Sequence, residues 1–171
     1  DMSKDAETPE VLARIEASGL RRIMGVAMLG IIGLVLLYIA MSTPPSAGWL
    51  LFLLIVGAAA LWLSWRMWQA TQYQIELIED ELRCSDGTVI ARVADIKALD
   101  RGFFAFKPSN GFLIRTKTPA ARVWYPGLWW RAGRRIGIGG VTPGSQSKAM
   151  SEILAAMLVQ QSGGLKSGGL R

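Results

Sequence analysis

Histidine is absent from the 171-residue sequence, and Cys84 is its only cysteine. A disulfide framework needs pairs of cysteines, and protein zinc sites are built mainly from cysteine and histidine. Ser-His-Asp triads and Cys–His pairs are excluded for the same reason. Asp95, Asp100 and Glu152 carry carboxylates suited to acid–base chemistry, but no motif groups them. We therefore expect a non-catalytic protein without cofactor or metal, in which Cys84 is a small buried hydrophobic residue.

Charged residues are scarce, and their distribution is uneven. They make up 19% of the chain, against about 25% in typical soluble domains. None of the 43 residues between Arg22 and Arg66 is charged, and Pro44 and Pro45 divide this stretch into two apolar runs. Each run is close to the length that spans a bilayer, and the chain is too small to surround both helices in a soluble core. The predicted segments are a membrane helix at 23–41, an external (periplasmic) turn at 42–47 and a second membrane helix at 48–68.

The cations around these runs predict their orientation. Arg14, Arg21 and Arg22 precede the first run and Arg66 follows the second, whereas the turn between them has no charge. By the positive-inside rule, both termini are expected in the cytoplasm. A signal peptide is not expected, because the first run begins after 22 residues and no small-residue cleavage site follows it. Tryptophans mark both predicted interfaces: Trp49 on the outside, and Trp62, Trp65 and Trp68 on the inside.

Small residues recur on one face of each run. Such residues let helix backbones approach closely in lipid. Two alternatives follow, packing of the two helices on each other as a hairpin or a homodimer seam, and we favour the hairpin. The apolar runs contain no Asp, Glu, Lys, Arg, His, Asn or Gln, which argues against a transporter or pump. The predicted packing residues are Gly30, Gly33 and Ala40 in the first helix, and Gly57, Ala60 and Ser64 in the second.

The remaining chain predicts one small β domain at residues 71–161. Short alternating apolar runs and the turn signal Asp86-Gly87 are typical of β hairpins. An amphipathic helix is expected from Val141-Thr142-Pro143 to Gln161. The N-terminal segment, 1–22, is predicted to form a brief surface helix starting at Thr8-Pro9, and the Gly/Ser-rich residues 162–171 a flexible tail. The strands are predicted at 72–77, 82–84, 88–93, 96–106, 112–115, 122–125 and 135–138, with a turn at 108–111.

Several short strands closed by one C-terminal helix, directly after two membrane spans, resemble the bacterial pleckstrin-homology-like (PH-like) domains of small membrane proteins. The resemblance covers residues 72–160 and rests on element order; residues 103–140 are also similar to small alphaproteobacterial membrane proteins of unknown function. It implies an antiparallel sandwich capped by a helix, and a non-catalytic, often oligomeric interaction module in the bacterial inner membrane. Phosphoinositide-binding relatives carry a basic first hairpin, whereas Glu79-Asp80-Glu81 is acidic here. Inositol-phosphate recognition is therefore not expected.

A basic, aromatic segment is the main candidate for function. Nine cations and no acids lie between Arg101 and Ser151. Cations with tryptophans suit the anionic cytoplasmic leaflet or an acidic partner. Alternatively the arginines are a solvated face and the tryptophans, Trp124 among them, belong to the core. A nucleic-acid partner is not expected, because no recognition motif is present. The predicted contact residues are Trp129, Trp130, Arg131, Arg134 and Arg135.

Two functions remain open at this point. The first is an accessory, assembly or scaffold subunit that presents a basic PH-like domain at the cytoplasmic surface of the inner membrane. Its partner would be a larger integral membrane complex or a second copy of the chain. The alternative is a module that senses anionic lipid surfaces through its basic aromatic segment.

Overall fold

Three long helices and seven strands form the described part of the computed structural model, residues 10–43, 46–101 and 110–167. The first two helices, α1 (Gly19–Ser42) and α2 (Ala47–Ala70), have 24 residues each and are long and apolar enough to cross a membrane. They are longer than the predicted spans at both ends. Most of their large apolar side chains are exposed, as expected of helices that face lipid rather than a protein core. Pro44 and Pro45 lie outside the described residues.

The helices α1 and α2 pack on each other as an antiparallel hairpin, through the predicted small residues. Gly33 faces Gly57 so closely that a Cβ atom at residue 33 would lie 3.0 Å from the Gly57 carbonyl oxygen. The Ser64 hydroxyl donates a hydrogen bond of 2.9 Å to the Val26 carbonyl across the pair. Gly30 faces Ser64. Ala40 is buried and Ala60 is half-buried. The hairpin therefore uses the small-residue faces for itself.

A strand, and not a helix, precedes α1. The first strand, β1 (Val11–Glu16), pairs antiparallel with β2 (Gln74–Ile78), and Ile15 lies opposite Ile75. The predicted surface helix in residues 1–22 is wrong for the described part, because alternate residues of this segment face the core and Ile15 is fully buried. Its predicted start, Thr8-Pro9, lies outside the described residues. The helix pair is consequently an insertion between two neighbouring strands.

Five strands follow β2: β3 (Glu81–Cys84), β4 (Val89–Arg92), β5 (Ile96–Asp100), β6 (Phe112–Tyr125) and β7 (Trp129–Ile138). Two antiparallel sheets make up the β domain, in the orders β1-β2-β3-β4 and β5-β6-β7. The 3-10 helix Val93–Asp95 connects them. The Val93 amide donates to the Asp80 carbonyl in the β2–β3 turn. This turn lies at one end of the sheet, and Gln74, where the chain arrives from α2, lies at the other. The predicted strand at 96–106 ends at Asp100, and residues 102–109, with part of the predicted turn, lie outside the described residues.

The β6–β7 hairpin is long and doubles back on itself. Arg115 pairs with Arg135 and Ala120 with Gly133, so four residues of β6 bulge out opposite one of β7. Gly133 adopts a φ of +62°, which favours glycine. The tip of the hairpin, residues 126–128, folds back against the end of β7, where the Leu128 carbonyl accepts a 2.9 Å hydrogen bond from the Gly139 amide. The strands predicted separately at 112–115 and 122–125 are therefore one bent strand.

The third helix, α3 (Gly144–Ser167), closes the sandwich. Met150 and Leu154 are fully buried in the common core with residues of both sheets. The helix continues six residues beyond Gln161, so the tail predicted to be flexible from residue 162 is helical through Ser167. The rest of that tail lies outside the described residues. Cys84 is fully buried in the same core, as predicted, and burial raises the pKa of its thiol.

Candidate membrane-surface site

The base of the helix pair is joined to the β domain by hydrogen bonds from α1. The Ser18 amide donates to the Val141 carbonyl at 2.8 Å, and Arg21 Nη1 donates to the Thr142 carbonyl at 2.8 Å. Both acceptors lie in the segment between β7 and α3. The start of α1 is therefore held at two places, by its chain connection to β1 and by its contacts with this segment.

Arg22 joins the two helices at their base. Its Nε donates to the Thr71 hydroxyl at 2.8 Å and its Nη2 donates to the Trp68 carbonyl at 2.9 Å. The guanidinium carbon lies 3.9 Å from the centre of the Trp68 ring, in cation–π contact. A cation at this position provides a donor for the Trp68 carbonyl, one of the carbonyls in the last turn of α2 that the helix itself leaves without a backbone donor.

Apolar contacts complete this junction. A Cβ atom at Gly25 of α1 would lie 2.8 Å from the Met67 methyl carbon and 3.6 Å from Val141 Cγ1. Gly127, at the β6–β7 tip, lies against the same Met67 methyl group and Thr71. The tip of the bent hairpin thus packs directly on the base of α2. This contact brings β6 beside the helix end that carries Trp62, Trp65 and Trp68.

Trp129 is not available for surface contact. It is 1% exposed, stacks on Tyr125 at 5.0 Å between ring centres and belongs to the core. The prediction that it contacts a membrane or partner is wrong, and its place is the alternative that assigned tryptophans to the core. Trp130 is half-buried because its indole lies over Gly137, where an added Cβ atom would be 2.2 Å from Nε1.

Arg131 has a structural role. Its Nε donates to the Ala121 carbonyl, and its Nη1 lies 3.1 Å from the Val89 carbonyl and 3.2 Å from that of Ile90. These bonds join the bent β6–β7 hairpin to the free edge of β4. The guanidinium therefore joins the two sheets, and the predicted surface contact of this half-buried residue stays a prediction.

Arg134 and Arg135 are exposed but lie away from the base of α1 and α2. The Thr116 hydroxyl is 3.3 Å from the Arg134 carbonyl, and Thr118, two residues on, donates to Asp95. Asp95 belongs to the 3-10 helix at the end of the sheets opposite the helix base. The five predicted contact residues are therefore dispersed over the core, a sheet edge and the far end of the domain.

A different group of basic and aromatic residues meets at the helix base. A cavity of about 450 Å³ lies between the end of α2 and strand β6, and both Arg66 and Arg122 line it. Trp124, 45% exposed, extends from β6 to Trp62 of α2, with 6.3 Å between ring centres. The Arg66 guanidinium lies 5.9 Å from the Trp62 ring. The cavity lining comprises Arg66, Gln69, Ala70, Gln72, Tyr73, Arg122, Val123, Trp124 and Tyr125.

Tyr125 fixes one wall of this cavity. Its hydroxyl donates a 2.5 Å hydrogen bond to Asp86 Oδ2 in the β3–β4 turn, and Tyr73 packs edge-on against its ring. Burial, with the hydrogen bond to Asp86, raises the pKa of Tyr125. Burial also acts to raise the pKa of Asp86, but hydrogen bonds from Tyr125 and Thr88 outweigh it and hold that pKa below its ordinary value. The ordinary protonation states of both groups are therefore favoured in the folded protein.

Tyr125→Phe is expected to lower the free energy of unfolding by about 1 kcal/mol near neutral pH, because one hydrogen bond to a charged group is lost. The raised pKa of Tyr125 stabilises the fold below about pH 10 and that contribution is lost above it. The lowered pKa of Asp86 stabilises the fold above about pH 4 and that contribution is lost below it. Thermal unfolding of the unmodified and Tyr125→Phe chains should show a difference in Tm that becomes smaller at both low and high pH. A difference in Tm that does not depend on pH would contradict this linkage.

The chain matches no family model, no curated protein and no solved structure. The site residues that sequence reasoning missed, Arg66 and Arg122, are 56 positions apart and meet only through the contact of the β6–β7 tip with α2. One signal was available in the sequence: Arg66 lies between Trp65 and Trp68, two of the tryptophans that mark the predicted inner interface. Arg122 carries no comparable signal.

Proposed function

We propose that this chain is a non-catalytic accessory protein of the bacterial cytoplasmic (inner) membrane, anchored by α1 and α2 with both termini in the cytoplasm. Its β domain is a PH-like module held against the anionic inner leaflet. The observation that carries the proposal is the insertion of the apolar helix pair between β1 and β2. A domain attached through two neighbouring strands, and fastened again at Val141 and Thr142, has one fixed orientation toward the membrane.

The element order supports the PH-like assignment. Two antiparallel sheets followed by one C-terminal helix fit the antiparallel sandwich capped by a helix that the resemblance implies. Strand β1, which lies before α1, is outside the residues 72–160 that the resemblance covers. The helix pair then occupies the β1–β2 connection. The module and its anchor are therefore one folded unit.

Lipid contact is favoured over self-association. The small-residue faces that suggested a homodimer seam are used within the hairpin, at Gly33 and Gly57. The basic and aromatic side chains at the helix base lie where the headgroup layer would be. A larger membrane complex remains the second candidate, because exposed apolar side chains surround both helices and suit either lipid or a partner helix.

The topology is tested with single cysteines in intact cells. Ser46→Cys, at the exposed start of α2, should react with a membrane-impermeant thiol reagent, whereas Ser162→Cys, exposed on α3, should react only after lysis. The unmodified chain is the blank, because Cys84 is fully buried. Alkaline carbonate should leave the protein in the membrane fraction. Labelling of residue 162 before residue 46, or release by carbonate, would contradict the proposal.

A further inference from the structure

The cavity at the base of α2 has the chemistry of an anion site. Arg66 and Arg122 both line it, and none of its described lining residues is acidic. The side chains of Gln69, Gln72 and Tyr73 add neutral hydrogen-bonding groups. At about 450 Å³ the cavity falls within the usual size range of small-molecule sites. Two guanidinium groups without a carboxylate leave positive charge that a phosphate fits.

Arg66 has donor capacity that the protein does not use. Its Nε is buried and has no hydrogen-bond partner among the described residues. Buried donors are nearly always paired, by protein, water or ligand. The ion pairs within the described ranges are Arg14–Glu76 and Arg83–Glu81, and neither includes Arg66 or Arg122. The orphaned Nε therefore points to a bound acceptor at Arg66.

The position of the cavity decides between sources of phosphate. It lies at the last turn of α2, and its lining residue Arg66 is 5.9 Å from the Trp62 ring, where the proposed function places the lipid headgroups. The carbonyl end of a helix weakly repels anions, so the helix itself does not make this site. Trp62 and Trp124, in ring contact at 6.3 Å, provide an apolar surface beside the arginines. A charged pocket beside an apolar surface suits a molecule with a phosphate and a hydrocarbon part.

We propose that this cavity binds the phosphate of an anionic phospholipid from the inner leaflet. Arg66 and Arg122 contact the phosphate oxygens, and the glycerol and upper acyl region lies against Trp62 and Trp124. The inference rests on the proposed function, because the lipid reaches the cavity only if α2 crosses the membrane. It adds a defined lipid site to a domain that would otherwise contact the surface only through general electrostatics.

The test uses the full chain in mild detergent and measures retention of phosphatidylglycerol against phosphatidylcholine by native mass spectrometry. Phosphatidylglycerol should be retained preferentially. Arg66→Gln with Arg122→Gln should weaken that retention about tenfold, since each basic contact contributes severalfold. The matched control is Arg134→Gln with Arg135→Gln, which removes two exposed cations at the far end of the domain and should change retention by less than about twofold.

Competition experiments and further variants distinguish a lipid ligand from free phosphate or an acidic peptide. Inorganic phosphate or an acidic peptide at millimolar concentration should not displace the lipid; displacement by either would overturn the lipid assignment. Equal retention of the two lipids, or equal loss in both double variants, would overturn the site.

Thermal unfolding within a few degrees of the unmodified chain shows that each variant is folded. Compared with the Gln variants, Arg66→Lys with Arg122→Lys should restore part of the lipid retention. Cysteine labelling at residues 46 and 162 reports on insertion independently, so an inserted chain without lipid preference contradicts this site alone.

Discussion

Ile15→Ala is expected to destabilise the β domain by about 2–5 kcal/mol, although residue 15 precedes α1 and the rest of the domain follows α2. Ile15 is fully buried, pairs with Ile75 of β2 and belongs to the core shared by both sheets and α3. Its removal leaves a cavity that the neighbouring strands cannot fill without breaking their register. Thermal unfolding of the purified chain in detergent, followed by the intrinsic fluorescence of its seven tryptophans, of which Trp129 is buried in this core, measures the loss.

Leu12→Ala is the matched control for this prediction. Leu12 lies on the same strand but points outward and is 41% exposed, so its truncation should change the free energy of unfolding by less than about 0.5 kcal/mol. A fragment of residues 71–167 lacks β1 and is expected not to fold. Equal effects of the two substitutions, or a stable fragment, would show that β1 is not part of the core.

The same strand shows where sequence reasoning stops. The helix pair, the β3–β4 hairpin and the start of α3 follow from local signals: an uncharged run, an Asp-Gly turn and a helical apolar period. Strand β1 carries only six residues, and its partner lies about 60 positions later in the chain. Short apolar runs do not distinguish helix from strand by period alone. Its pairing with β2 is a long-range contact, which a short stretch of sequence does not reveal.

The candidate site was misplaced for a related reason. Trp129, Arg131 and Arg134 lie within six residues, and their proximity in sequence suggested one surface. The bulge in β6 and the turn at Gly133 fold this segment back, which buries Trp129 and directs Arg131 to the edge of β4. The composition of the segment was informative about a basic domain. The bend decides which of its cations remain available, and bends of this kind depend on contacts across both sheets.

Gly33→Leu and Gly57→Leu are expected to separate α1 from α2. A Cβ atom at residue 33 would lie 2.8 Å from Leu61 Cγ and 3.0 Å from the Gly57 carbonyl oxygen, and one at residue 57 would lie 3.0 Å from Leu37. The backbone oxygen cannot move aside without moving its helix. Overpacking of this kind costs about 1–3 kcal/mol at each site, and lipid offers no hydrophobic force to hold the helices together.

Separation of the helices should also weaken the hydrogen bonds at the base of the hairpin. Arg22 of α1 bonds to Thr71 and to the Trp68 carbonyl of α2, and these distances depend on the helices staying in contact at Gly33 and Gly57. Each variant should therefore unfold at lower temperature in detergent and become sensitive to proteolysis after Ala70. Ala58→Leu is the matched control, because Ala58 neighbours Gly57 but is exposed and has room for a leucine. If Ala58→Leu destabilises the chain as much as Gly57→Leu, the hairpin contact is not what holds the helices; if it changes only the oligomeric state, the outer face of α2 is the one that meets a partner.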